Sequence, residues 1–91
     1  KLTVMPGKKL SLQSHSKRSE HWVVISGIAT VTKNDKEFIL NKDESTFIPV
    51  NVKHRLVNAS KAPLIIIEVQ TGKYFGEDDI KRFEDIYGRT K

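Results

Sequence analysis

Gln13, His15 and Glu20 form a Q-x-H-x4-E cluster, and His54 follows Glu20 by 34 residues within a P-x-N-x2-H-x3-N segment running from Pro49 to Asn58. Two imidazoles, a carboxylate and an amide oxygen can together satisfy one divalent cation, and all are hard or borderline donors. Gln13 and His15, two apart in an extended run, project to the same face of a strand. Such a face needs a cavity behind it, which a small β-barrel provides. Any one of these histidines taken alone reads as a hydrogen-bonded core or surface residue. Four ligand types at the spacing of two separate motifs read as a metal centre.

The flanking residues sharpen this reading. Gly7 precedes Gln13 by five intervening residues, and six separate Glu20 from Gly27. This arrangement resembles the first motif of the cupins, G-x5-H-x-H-x4-E-x6-G, with Gln13 in place of the first histidine. The second cupin motif, G-x5-P-x-G-x2-H-x3-N, is matched by Pro49, His54 and Asn58, with Asp43 and Asn51 where the pattern has glycine. Asparagine also tolerates positive φ, so Asn51 is the milder departure and Asp43 bears on the local turn more than on the metal.

Ninety-one residues suffice for one core but leave a large surface fraction, so a domain of this size gains from a metal or a partner subunit. Cysteine is absent, which excludes disulfides and thiolate ligands and leaves N and O donors for any ion. No apolar run reaches membrane-spanning length and nothing resembles a signal peptide, so the expectation is a cytoplasmic protein without membrane partners. The chain starts at Lys1 and enters a strand pattern at once, which suggests a C-terminal fragment of a longer chain. Sixteen basic and 11 acidic residues give a charge of +5, spread along the sequence. Without a basic stripe interleaved with aromatics, this excess argues against nucleic acid and suits a small anionic substrate.

Short strands separated by turn signals are expected at Leu10 to His15, His21 to Ser26, Ile28 to Thr32, Glu37 to Leu40, Thr46 to Ile48, Lys53 to Asn58 and Leu64 to Gln70. Their even spacing predicts an all-β sandwich or barrel. Leu64 to Ile67 is apolar on both faces, so its outer face needs a cover. Ile80, Phe83 and Tyr87 share one side of a helix, and a helix over about 77–87 is the expected cover, with Asp78 and Asp79 near its start and Gly88 past its end.

The segments Leu10 to Val31, Phe47 to Asn58 and Pro63 to Arg89 carry E-H-W, H-R-L, I-E-V-Q and G-E-D-D-I-x-R-F-x-D-x-Y-G-R pieces. Together they resemble the C-terminal cupin domain of type II phosphomannose isomerases, usually preceded by a mannose-1-phosphate guanylyltransferase domain in one bifunctional chain. The resemblance implies a single cupin jelly-roll barrel over 1–91 with a C-terminal helix. It implies metal-dependent interconversion of mannose 6-phosphate and fructose 6-phosphate through a cis-enediol, feeding GDP-mannose synthesis.

On that basis Gln13, His15, Glu20 and His54 are the expected metal ligands, with Zn leading and Mn, Co, Ni or Fe compatible. A cation there would polarise the substrate carbonyl and bind the enediolate. Glu20 is the nearest carboxylate for proton transfer, but coordination weakens a base, so a metal-bound water or another residue stays open for that role. Arg18 matches the family's arginine before E-H-W and is assigned to catalysis and substrate binding. Arg82 and Arg89, seven apart on the expected helix, match its C-terminal motif and are assigned to the phosphate. The competing reading makes them i,i+4 surface pairs with Asp78 and Asp85.

His21 and Lys53 and Arg55 are expected to alternate away from the cavity, Trp22 to fill the core beside it, and Ser11 to share the face of Gln13. A homodimer is compatible with the exposed edges of a small barrel. Two other functions stay open at this point: a non-catalytic sugar-phosphate-binding cupin regulating the guanylyltransferase, and an iron-dependent dioxygenase.

Overall fold

The structure, a computed structural model, describes residues 1–84. The described residues form nine strands: β1 (Leu2–Val4), β2 (Leu12–His15), β3 (Arg18–Ser26), β4 (Ala29–Lys33), β5 (Lys36–Leu40), β6 (Ser45–Ile48), β7 (His54–Val57), β8 (Leu64–Gly72) and β9 (Ile80–Glu84). They form two antiparallel sheets, one ordered β1-β8-β3-β6 and the other β5-β4-β7-β2-β9. The inward side chains of both sheets meet in one core that includes Val24, Val31, Leu56, Leu64 and Ile66. Period-two burial along β3 and β8 is the pattern of sheets packed through one face only.

The turn chemistry of the two motifs is realised in the backbone. Asp43 and Asn51, standing where the cupin pattern has glycine, both take positive φ, at 72° and 63°. The departures therefore keep the conformation that glycine would supply. Gly27 has φ of 90°, and a Cβ there would lie 2.5 Å from the Pro63 carbonyl oxygen, so this motif position admits no side chain. Asn58, which ends the second motif, is fully buried and structural. Its Nδ2 donates to the carbonyls of Val4 and Ala62, and its Oδ1 accepts from the backbone N–H and hydroxyl of Ser60.

The C-terminal segment departs from expectation. Instead of a helix over 77–87, Glu77–Asp79 forms one 3-10 turn and Ile80–Glu84 is a strand paired with β2, while residues 85–87 lie outside those described. A helix of that length is marginal in water, whereas β2 offers an open edge of unpaired backbone groups. Asp79 fixes the alternative: its carboxylate accepts from the backbone N–H and hydroxyl of Ser16 and from the Lys17 N–H, at 2.7–3.1 Å. The hydrogen bond to the Ser16 hydroxyl, foremost, holds its pKa below the ordinary value. The chain is thereby anchored to the β2–β3 turn, and residues 80–84 run along β2 in place of covering β8. The outer face of β8 keeps Ile65 and Ile67 half-buried and Val69 exposed, beside exposed Phe47 of β6. Among the described residues no helix is long and apolar enough to cross a membrane.

Candidate metal centre

Strand pairing brings the sequence-distant donors together. Gln13 of β2 lies directly opposite His54 of β7, so their side chains emerge as neighbours on one face. His15 follows two residues on along β2, and Glu20 reaches the same space from β3 in the facing sheet. Atoms of His15, Glu20 and His54 capable of binding a cation lie within 4.8 Å of one another, all three residues being buried. Ligands about 2.1 Å from a shared ion stand roughly 3–4 Å apart, so this set closes on one ion with small side-chain shifts. Gln13, whose Nε2 donates to Ser11 Oγ at 3.2 Å, lines the same cavity.

That cavity has a volume of about 210 Å³, and Leu2, Leu10, Leu56, Glu68 and Gln70 also line it. Leu2 belongs to β1, the strand pattern that opens the chain.

His54 and Glu20 are each oriented by a second contact. His54 Nδ1 lies 3.0 Å from the Val52 carbonyl oxygen, which can only accept, so Nδ1 carries the proton and the Nε2 lone pair is available. The ring stands edge-on to Trp22, with centroids 5.5 Å apart. Glu20 receives the Trp22 indole N–H on Oε1 at 2.9 Å and Arg18 Nε on Oε2 at 3.1 Å. His15 Nε2 stands 3.6 Å from Glu20 Oε2 and 3.2 Å from Arg18 Nη2. Its Nδ1 is buried with no hydrogen-bond partner. An orphaned buried imidazole nitrogen, in a cluster of N and O donors, fits a centre built for a cation.

Arg18 is turned inward, only 6% exposed, with Nη1 donating to the Phe75 carbonyl at 3.2 Å. Its guanidinium is thus engaged by Glu20, His15 and Phe75. Arg82 is not on a helix: it is exposed on β9, with its Cα opposite Gln13, and so stands on the cavity-facing side at the sheet edge. Arg89 lies outside the described residues, as does Asp85. Arg55, expected to point to solvent, is half-buried and contributes to the cavity lining. His21 is exposed on the outer face, edge-on to Phe47 at 6.5 Å. Glu68 was not among the residues singled out by spacing, although its parity with Leu64 and Ile66 places it on the inward face of β8.

Burial pushes the pKa of both His15 and His54 below the ordinary 6.5, with Arg18 adding to the effect at His15. Unfolded imidazoles keep the ordinary value, so below pH ~6.5 the unfolded chain binds more protons than the folded one. The stabilisation is therefore complete above that pH and is lost as pH falls toward the folded values. Urea melts of metal-free protein at pH 7.5, 6.5 and 5.5 should show declining stability. A curve that is flat or rises on acidification would contradict the neutral-imidazole assignment.

Comparison with known proteins agrees with this architecture. The family described as "Mannose-6-phosphate isomerase C-terminal" matches residues 1–85. The chain is 60% identical over 89 residues to the alginate biosynthesis protein AlgA of Pseudomonas aeruginosa, covering 98% of this chain and 18% of that protein. It is 48% identical over 89 residues to a mannose-1-phosphate guanylyltransferase of Klebsiella pneumoniae, covering 98% and 19% respectively. The chain therefore spans about a fifth of the length of these curated relatives. Among solved structures, a Klebsiella pneumoniae protein with a double-stranded β-helix domain superposes with a TM-score of 0.78 at 20% identity, covering 91% of this chain and 70% of the other. That likeness is one of fold, the cupin double-stranded β-helix. With nearly its whole length matched, the chain belongs to the mannose-6-phosphate isomerase C-terminal family.

Proposed function

We propose that this chain is a single cupin domain carrying the active centre of a mannose-6-phosphate isomerase, interconverting mannose 6-phosphate and fructose 6-phosphate. The observation that carries this reading is the convergence of His15, Glu20 and His54 at a cavity, in a chain of this family. A divalent cation, Zn foremost, held by these three residues and Gln13 would supply the Lewis acid for a carbonyl and an adjacent hydroxyl oxygen. The chain's own groups do the rest. Arg18 and Trp22 hold both Glu20 oxygens in place, and the Val52 carbonyl sets the His54 tautomer. Leu2, Leu10 and Leu56 line the cavity and would restrict water around a bound substrate.

The phosphate needs cations at the cavity mouth. Arg82 on β9 is the described candidate, and the family motif assigns Arg89 the same role. Arg18, committed to Glu20 and His15, acts more directly on the reacting centre than on the phosphate. We further propose that the activity accompanies a guanylyltransferase domain in a longer cytoplasmic chain making GDP-mannose for polysaccharides, a reading supported by the relatives' names and lengths.

A coupled assay converting mannose 6-phosphate to fructose 6-phosphate tests the function. Turnover should be abolished by dialysis against chelator and restored by adding back Zn, Mn or Co. A protein shown by metal analysis to be loaded, folded and yet inactive on this substrate would overturn the reading.

A further inference from the structure

Two carboxylates line the cavity among the described residues, Glu20 and Glu68, and their surroundings differ. Glu20 accepts hydrogen bonds on both oxygens and stands with the two histidines. The Glu68 side chain makes no hydrogen bond or ion pair among the described residues. It sits on β8 with its Cα opposite Trp22, while Gln70 is opposite Glu20, so Glu68 is the diagonal neighbour of Glu20 on the same inward face. Leu2, Leu10 and Leu56 share its cavity.

We propose that Glu68 is the proton-transferring residue of the isomerisation, a reading that rests on the proposed function above. As carboxylate it removes the proton from C2 of the open-chain aldose. The C–H electron pair becomes the C1=C2 bond, and the C1=O1 π pair moves onto O1. The proton on O2 passes to the neighbouring O1 of the cis-enediol. The O2 electrons then form C2=O2, and the C1=C2 pair takes the proton back from the Glu68 carboxylic acid at C1. No proton or electron is gained or lost overall, and Glu68 ends as it began.

The division of labour follows from environment. A carboxylate fixed by Arg18 and Trp22 and shared with a cation would be a weak base, whereas one whose side chain has no hydrogen-bond donor is a stronger one. Burial raises the Glu68 pKa, the Glu20 charge adds to this, and the Lys1 ammonium and Arg18 oppose it. A carboxyl raised in this way can hold the proton between its removal and its return.

Glu68→Gln and Glu68→Ala test the assignment, with wild type assayed in parallel. Glu68→Gln should lower kcat by about 10²–10⁴-fold, the usual share of general base catalysis, with KM nearly unchanged. Metal content and calorimetric affinity for mannose 6-phosphate should match wild type. Its Tm should equal or exceed wild type, since a half-buried carboxyl without a hydrogen-bonding partner contributes little to the fold. Deuterium from D2O should no longer enter the sugar at C1 or C2. In Glu68→Ala, formate should restore part of the turnover, a response that a purely structural role would not give. Wild-type kcat in Glu68→Gln, or no formate rescue in folded and metal-loaded Glu68→Ala, overturns the role of Glu68 and leaves the isomerase reading standing. An inactive wild type instead overturns the isomerase reading and this role with it.

Discussion

Replacing His54 by alanine is expected to weaken divalent-cation binding by more than ~100-fold, beyond the 10- to 100-fold typical of losing an outer-shell partner. Isomerase turnover should disappear with it. His54 is the proposed ligand farthest in sequence from the others and joins β7 to the cluster formed by β2 and β3. Its ring is also packed against Trp22 and His15, so truncation costs some packing as well as a ligand. The two contributions separate by experiment. Metal-free variant and metal-free wild type compare the packing loss, and the difference in Tm on adding Zn compares the ligand. Bound metal stabilises by about 2.7 kcal/mol when free metal is ~100 times its dissociation constant, so the wild type should show a clear upward shift that the variant lacks. Unchanged metal stoichiometry and affinity in the variant would remove His54 from the centre.

Arg18→Met should destabilise the metal-free protein by about 3–5 kcal/mol, the usual cost of removing one member of a buried ion pair. Arg18 and Glu20 are both buried, and the guanidinium also contacts His15 and the Phe75 carbonyl. Methionine keeps an unbranched stem of similar reach and removes the charge, leaving the Glu20 carboxylate uncompensated. Added metal should recover part of the loss, because a cation beside Glu20 supplies the missing positive charge. In loaded protein kcat/KM should fall by about 10- to 100-fold through misplacement of Glu20. Urea melts with and without metal, beside steady-state kinetics, check both statements. A variant as stable as wild type without metal, and as active with it, would show that the inward pair is dispensable.

How much of this was readable from the chain differs from residue to residue. Short apolar runs bounded by turn residues marked β3, β4 and β8, because both signals are local. Gln13 and His15 could be placed on one face because side-chain parity is local too, and the motif glycines fixed the turns between ligand segments. Asp43 and Asn51 preserved those turns because the backbone constrains φ more than residue type. What local pattern could not supply was the direction of Arg18, which depends on a carboxylate and an imidazole converging from two strands. The same limit misplaced the C-terminal segment. Ile80 and Phe83 fit a helical stripe, yet Ile80, Arg82 and Glu84 equally fit a strand, and the choice was made by the free edge of β2 and the Asp79 clamp 63 residues from Ser16. Glu68 was readable in principle by counting inward positions from Leu64, but an apolar run draws attention to burial and away from its polar end.

The pairing of β9 with β2 also bears on where this unit can be trimmed. β2 carries Gln13 and His15, yet it meets β7 through the single register pair Gln13 and His54, whereas β9 runs beside it from Leu12 to His15. Residues 80–84 are therefore the backing of the strand that presents half of the donor set. A boundary drawn before Ile80 would leave every proposed ligand in the chain and take away the rail on which two of them are mounted.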